Sequence, residues 1–348
     1  MTAPRLAPRT LYDRVAEETA GGVIRRYSTS FGLASRLLGA QVRQHVENIY
    51  ALVRIADEIV DGSATAAGLA PEAVARVLDG LERDTEQAML EGYSANFVVH
   101  AFALTARETG FGSELTRPFF ASMRADLSAT EYTSESFDAY VYGSAEVVGL
   151  MCLKAFLAAS PVSAEDAATL VTGARRLGAA FQKVNFLRDL AADFDGLGRS
   201  YFPGVSVATF TEAQKHRLLD DIDDDLAVSA AVIPMLPNSS RRAVALAQGL
   251  FAELSVRLRA TAADQLVHRR IRVPNPVKLR IALAAAAAPG RRPTAGAALA
   301  RSRQTQSPHA APQFDPDLRA GVALHAHQPL ERGLPIEKDT HMNKKFRS

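Results

Sequence analysis

From about residue 10 to residue 288, apolar side chains recur every three or four positions. That is the period of a helix with one buried face. The period predicts helices over 11–27, 42–61, 71–90, 95–109, 114–127, 135–159, 164–194, 211–232, 239–265 and 276–288. The breaks between them carry stop and start signals. "DGSATAAG" follows the second segment, Ser163 precedes Glu165 and Asp166 as a helix cap, and "DGLGRSYFPG" ends the longest segment. No stretch alternates in the manner of a strand. The pattern predicts an all-α protein, one helical domain over 1–288 packed around a central cavity.

After Ala288 the period is lost. Residues 289–348 are rich in Pro, Gly, Ser and Arg and are expected to be a disordered tail. This tail holds ten Lys/Arg and five Asp/Glu, a net +5, which leaves −3 for the rest of a chain whose total is +2. A mildly acidic body argues against nucleic-acid binding. The single cysteine, Cys152, excludes an internal disulfide and fits a reducing compartment. No signal-like segment is read at the N-terminus, and no uninterrupted apolar stretch of about 18 residues appears, so no membrane span is expected.

Two helical segments carry polar stripes that a solvated surface does not explain. Within "YALVRIADEIVDG" (50–62), Tyr50, Arg54, Asp57 and Asp61 fall within about 60° of one another on the helix. Ile49, Leu52, Val53, Ala56, Ile59 and Val60 take the opposite, apolar side, and Glu58 points away from the aspartates. Within "FQKVNFLRDLAADFDGLGRSYFP" (181–203), Gln182, Asn185, Asp189 and Asp193 form a second stripe opposite Val184, Leu187, Leu190 and Phe194. Like charges four apart weaken an isolated helix by about 0.2–0.5 kcal/mol, so two such pairs need a cation between them. Hard divalent ions take one or two carboxylates each and complete their shell with water and phosphate oxygens. The two stripes therefore predict a small Mg²⁺ cluster, with Mn²⁺ as the alternative ion, that holds a diphosphate. Arg54, Arg188 and Arg199 would add charge-assisted contacts.

The two stretches resemble the paired aspartate-rich motifs of the squalene/phytoene synthase family, the head-to-head prenyl transferases. "YSTSFGLASRLLG" (27–39), "YVYGSAEVVGLM" (140–151) and "RRIRVPNPVKL" (269–279) resemble further elements of that family, in order, over about 20–288. The resemblance implies a single-domain isoprenoid-synthase-type helical bundle. It implies that Asp57, Asp61, Asn185, Asp189 and Asp193 serve Mg²⁺ and diphosphate, that Arg54 and Arg188 contact phosphate, and that Ser28 and Ser30 orient it. Tyr50, Gln182 and Tyr201 would line the reacting end, and Arg43 and Lys278 match less specifically. Phe31, Leu33, Val147, Val148, Leu150 and Met151 are candidates for the apolar wall. Two positions depart from the family pattern. Ser144-Ala145-Glu146 stands where Val-Ala-Gly is usual, which puts close helix contact in doubt, and Phe251 stands where a Tyr is usual.

The implied reaction is the 1′–1 condensation of two geranylgeranyl diphosphates to phytoene through a cyclopropylcarbinyl diphosphate. That is the first step of carotenoid biosynthesis, and it needs no NADPH. Squalene or dehydrosqualene formation from farnesyl diphosphate remains an alternative, as does a non-catalytic scaffold. The implied location is the cytoplasm or the periphery of a membrane, which receives the hydrocarbon product.

Overall fold

A computed structural model describes residues 9–129, 131–197 and 201–287, with the side chains of 29–30 and 191–197 outside that description. The expected tail, 289–348, also lies outside the described residues.

The helices are α1 (Leu11–Tyr27), α2 (Thr29–Ser35), α3 (Ala40–Val60), α4 (Ser63–Ala66), α5 (Pro71–Glu91), α6 (Phe97–Thr109) and α7 (Ser113–Ala125). They continue as α8 (Ser134–Val141), α9 (Val147–Leu157), α10 (Ala164–Leu197), α11 (Glu212–Val232), α12 (Asn238–Ala260), α13 (Ala263–Leu266) and α14 (Asn275–Ala287). Among the described residues there is no β-strand. The ten expected segments all appear as helix. The predicted 135–159 helix runs through α8 and α9 with a wide π-turn at Tyr142–Glu146 between them, and 239–265 divides at Thr261 and Ala262 into α12 and α13.

Local chemistry accounts for the boundaries. Thr10 and Asp13 form a reciprocal cap at the start of α1. Asn96 accepts from the amides of Val98 and Val99 to open α6. Ser163 accepts from the Asp166 amide at 3.1 Å, as its spacing suggests. Gly92 and Gly110 end α5 and α6 in left-handed conformations, φ 89° and 73°.

Two apolar clusters hold the bundle. One joins α1, α3, α5, α6, α7 and α9 around Leu52, Leu78, Phe102, Phe119 and Phe120. The other joins α8 and α10–α12 around Val184, Leu187, Leu219, Leu246 and Leu258. Each fully buried Leu or Phe contributes about 1.5–3 kcal/mol. α9 packs on both α3 and α10.

The back of α10 is fixed to α11 by charge. Asp225 is fully buried and takes Arg176 at 2.7 Å and Lys183 at 2.9 Å, and Lys183 also reaches Asp221 at 2.5 Å. Lys215, 2% exposed, donates to the Thr261 carbonyl at 2.6 Å and so ties α11 to the end of α12. The continuous run Ser134–Leu157 is long and apolar enough to cross a membrane by length and composition, although Glu135, Asp138, Glu146 and Lys154 interrupt it. Its buried residues, among them Tyr140, Val147 and Met151, pack into the two clusters instead.

Candidate active site

One cavity of about 1010 Å³ runs through the bundle. Tyr50, Arg54, Asp57 and Asp61 line it from α3, and Gln182, Asn185, Arg188 and Asp189 line it from α10. The two polar stripes, more than 120 residues apart in sequence, thus open onto one space. Ser28 and Tyr201 line the same cavity. The side chains of Ser30 and Asp193, and all of Arg199, lie outside the described residues. Arg43 does not line the cavity. It donates to the carbonyls of Ser35, Arg36 and Leu38 and so holds the turn after α2. Lys278 does line it.

The α3 carboxylates are in conflict without a cation. Asp57 is half-buried and lines the cavity. Burial and then repulsion from Asp61 push its pKa up to about 8. Arg54 does not offset this fully, because Glu58 and the ring of Tyr27 engage its guanidinium. Arg54 Nε is buried with no hydrogen-bond partner. Glu58 therefore points away from the aspartates, as the helical wheel suggests, but it takes the arginine with it. The α10 side is balanced differently. Arg188 bonds Asp189 at 2.6 Å, and Arg270 meets the same carboxylate at 2.7 Å.

A further acidic group that the sequence reading did not single out also lines the cavity. Asp126, at the end of α7, lines the cavity at 7% exposure. It accepts from the phenol of Tyr140 at 2.7 Å and from that of Tyr201 at 3.2 Å. Burial, then the charge of Asp126, pushes Tyr140 well above the ordinary phenol range. Tyr201 also stacks on Phe186, with ring centroids 3.9 Å apart and planes 10° apart. Its hydroxyl is therefore held at a fixed place in the wall. Tyr50 and Ser28 both line the cavity, and the Ser28 side chain caps α2 by accepting from the Phe31 amide at 3.0 Å.

The two departures have local explanations. Glu146 does not enter the cavity. It pairs with Arg175 at 2.6 Å, on the outer side of the α9–α10 contact. Close helix approach survives because glycines supply it elsewhere. A Cβ on Gly178 would lie 2.6 Å from the Ala145 carbonyl oxygen, and one on Gly149 would lie 2.7 Å from that of Ala174. Phe251 stacks on Phe181 with centroids 3.9 Å apart, an apolar contact in place of a hydroxyl.

The apolar wall is only partly the expected one. Phe31 and Val148 line the cavity, but Leu33, Val147, Leu150 and Met151 pack into the core. The lining face of the α8–α9 run is Tyr140, Ser144, Ala145, Val148, Gly149, Cys152, Leu153 and Phe156, spaced as one side of a helix. Burial pushes the Cys152 thiol up to about 12, so it stays protonated.

A sequence model described as squalene/phytoene synthase matches residues 24–276, well over half of the chain. The chain belongs to the squalene/phytoene synthase family. Among curated members of the family, a 15-cis-phytoene synthase of Enterobacter agglomerans is 28% identical over 282 residues, covering 74% of this chain and 90% of that one. A 15-cis-phytoene synthase of a Paracoccus species is 32% identical over 191 residues, covering 53% and 59%. Phytoene synthase 3 of Zea mays is 31% identical over 191 residues, covering 55% and 43%. The chain thus spans about half the length of the last two relatives. Among solved structures of the family, a dehydrosqualene synthase superposes with TM-score 0.62 at 22% identity over 79% of this chain and 96% of that one. A squalene synthase of Alicyclobacillus acidocaldarius gives TM-score 0.61 at 19% identity over 72% and 96%. At these identities the likeness establishes the all-α fold of the squalene/phytoene synthase family.

Among the described residues, no three carboxylate, imidazole or thiol groups converge to hold an ion by themselves. The donor set instead suits an ion that shares its shell with a ligand. It offers hard oxygen donors on two walls, a carboxyl forced toward its neutral form, and an orphaned guanidinium nitrogen at the same end of the cavity.

Proposed function

We propose that the protein condenses two molecules of geranylgeranyl diphosphate head to head, giving phytoene through a cyclopropylcarbinyl diphosphate. The observation that carries this reading is the make-up of a single cavity. Carboxylates, amides and guanidinium groups from α3 and α10 line it together with many aromatic and aliphatic side chains.

Asp57, Asp61, Asn185, Asp189 and Asp193 would hold Mg²⁺, or Mn²⁺ in its place. Bound there, the ions neutralise charge on the departing diphosphate. Arg54, Arg188, Arg270 and Lys278 direct further positive charge at the same oxygens. Ser28, at the start of α2, and Tyr50, on α3, orient the diphosphate. Gln182 and Tyr201 border the reacting carbons, and Asp126 fixes the Tyr201 hydroxyl. Once the allylic cation forms, water must be kept from it. Phe31, Val148, Phe181 and Phe251 supply a wall with no hydrogen-bonding groups. The 2,3-double bond of the second substrate then attacks, a proton is lost as the cyclopropane closes, the second ionisation opens the ring, and loss of a second proton ends the sequence without NADPH. The reaction places the protein in the cytoplasm or at the periphery of a membrane, where an insoluble product is received.

The test is product analysis. Purified protein with Mg²⁺ is given C15 or C20 prenyl diphosphate, with and without NADPH, and the extract is analysed by mass. Phytoene from the C20 substrate alone is the expected result. Dehydrosqualene or squalene from the C15 substrate would replace this reading with the shorter-chain one, and absence of any product with either would leave a non-catalytic protein.

A further inference from the structure

We infer that α14 and the segment leading into it form a docking surface for an anionic phospholipid bilayer. A surface helix normally has one polar face. α14 does not. Its inner side, with Val277, Ile281, Ala282 and Ala285, packs on the core. Its outer side exposes Leu279 at 60% and Leu283 at 63%, with Ala286 and Ala287 continuing the stripe. The neighbouring helix α12 exposes Val256 at 63%. Two exposed leucines one turn apart, on a helix already packed on its other side, mark an interaction face rather than scatter.

Charge selects the partner. From Gln265 to Ala287 there is no Asp or Glu, and there are five cations: Arg269, Arg270, Arg272, Lys278 and Arg280. The Arg280 side chain is 75% exposed, and Arg269 and Arg272 are also exposed. An apolar stripe flanked by long cationic side chains is the pattern of a segment lying in the headgroup region, with leucines toward the acyl chains and arginines on phosphate. Position supports the same partner. Arg270, Arg272, Asn275 and Lys278 line the catalytic cavity, so the segment that carries the stripe also borders the opening. Docked this way, the opening would face the bilayer surface, where an amphiphilic substrate and an apolar product partition. The inference does not rest on the chain length of the substrate, because binding is read without turnover.

The experiment is vesicle sedimentation of the full chain. Vesicles of phosphatidylcholine containing about one-third phosphatidylglycerol should carry at least about tenfold more protein than neutral ones, and about 0.5 M salt should reverse most of this. Leu279→Glu with Leu283→Glu should lower the bound fraction about tenfold, and Arg269→Gln with Arg280→Gln about threefold. A second variant does not depend on disruption. The chain has no tryptophan, so Leu283→Trp places one reporter on the stripe, and its emission should shift to the blue on adding anionic vesicles. A protein that stays in the supernatant, or binding that survives the leucine substitutions, overturns the proposal. So does an unshifted reporter. A wild-type dimer that becomes a monomer in the leucine variant also overturns it, by assigning the stripe to a second copy of the chain.

Discussion

Arg270 meets Asp189 at 2.7 Å across a separation of 81 residues. The same carboxylate takes Arg188 from its own helix at 2.6 Å. Two guanidinium groups therefore stand at the α10 side of the cavity, each held by a carboxylate that the proposed ions would claim. An ion held by Asp189 would leave both arginines available to diphosphate oxygens. Arg270→Gln should then lower kcat/KM by about ten- to a hundredfold, at the scale of one lost charge-assisted contact. The check is diphosphate release at saturating and limiting substrate, with thermal unfolding compared to confirm that the fold is unchanged.

The α3 aspartates make a stronger demand. Asp57→Ala should reduce kcat by about 10²–10³ or more, since it removes a group whose only proposed partner is the charge that stabilises ionisation. Asp57→Asn should fail as completely, because an amide keeps the shape but not the charge. Its Tm should equal or exceed that of the wild-type protein without Mg²⁺, because it relieves the repulsion from Asp61. Normal turnover by either variant would refute the site.

The glycines between α9 and α10 should be intolerant. Gly178→Ala places a methyl group 2.6 Å from the Ala145 carbonyl oxygen, and backbone must move to accept it. The expected cost is about 1–3 kcal/mol, the range for overpacking, read as a shift in the midpoint of urea unfolding. Gly80→Ala is the control, since its Cβ would meet only the tip of Arg83 at 4.0 Å.

A pH dependence follows from Asp13. Burial raises its pKa, but hydrogen bonds from His100 at 2.8 Å and from Thr10 outweigh this, and the net shift is downward. A depressed carboxyl contributes stability that is full above its unfolded pKa, about 3.9, and is lost as pH falls through the lower folded value. Asp13→Asn should therefore cost about 1 kcal/mol at neutral pH. The gap between the two proteins should close below about pH 4. A gap that widens on acidification would contradict the assignment.

Much of this protein was legible because its determinants are periodic. The α3 and α10 stripes are defined by spacing of four, and spacing of four survives any tertiary arrangement that keeps the helix. Asp126 gave no such signal. It ends a helix in "RADLS", and its meaning comes from two phenols that reach it from 14 and 75 residues away. Arg270 gave no signal of its own beside Arg269 and Arg272, because only the path of the loop decides that Arg270 and Arg272 line the cavity and Arg269 does not. Of the six wall candidates only Phe31 and Val148 line the cavity, because neighbouring apolar residues on a helix point to different sides. A helix shows the cavity only one side, and the π-turn at Tyr142–Glu146 sets which side that is. The short helices α2, α4 and α13 have too few residues to display a period at all.

The backbone-tight seam formed by Gly149 and Gly178 has a practical corollary for anyone reshaping the pocket. With α9 and α10 fused there like two boards glued edge to edge, enlarging or shortening the tunnel from that side would split the joint before it moved the floor. The adjustable side is α12, where Val244 and Phe251 line the cavity, so libraries aimed at altered product length belong on that helix.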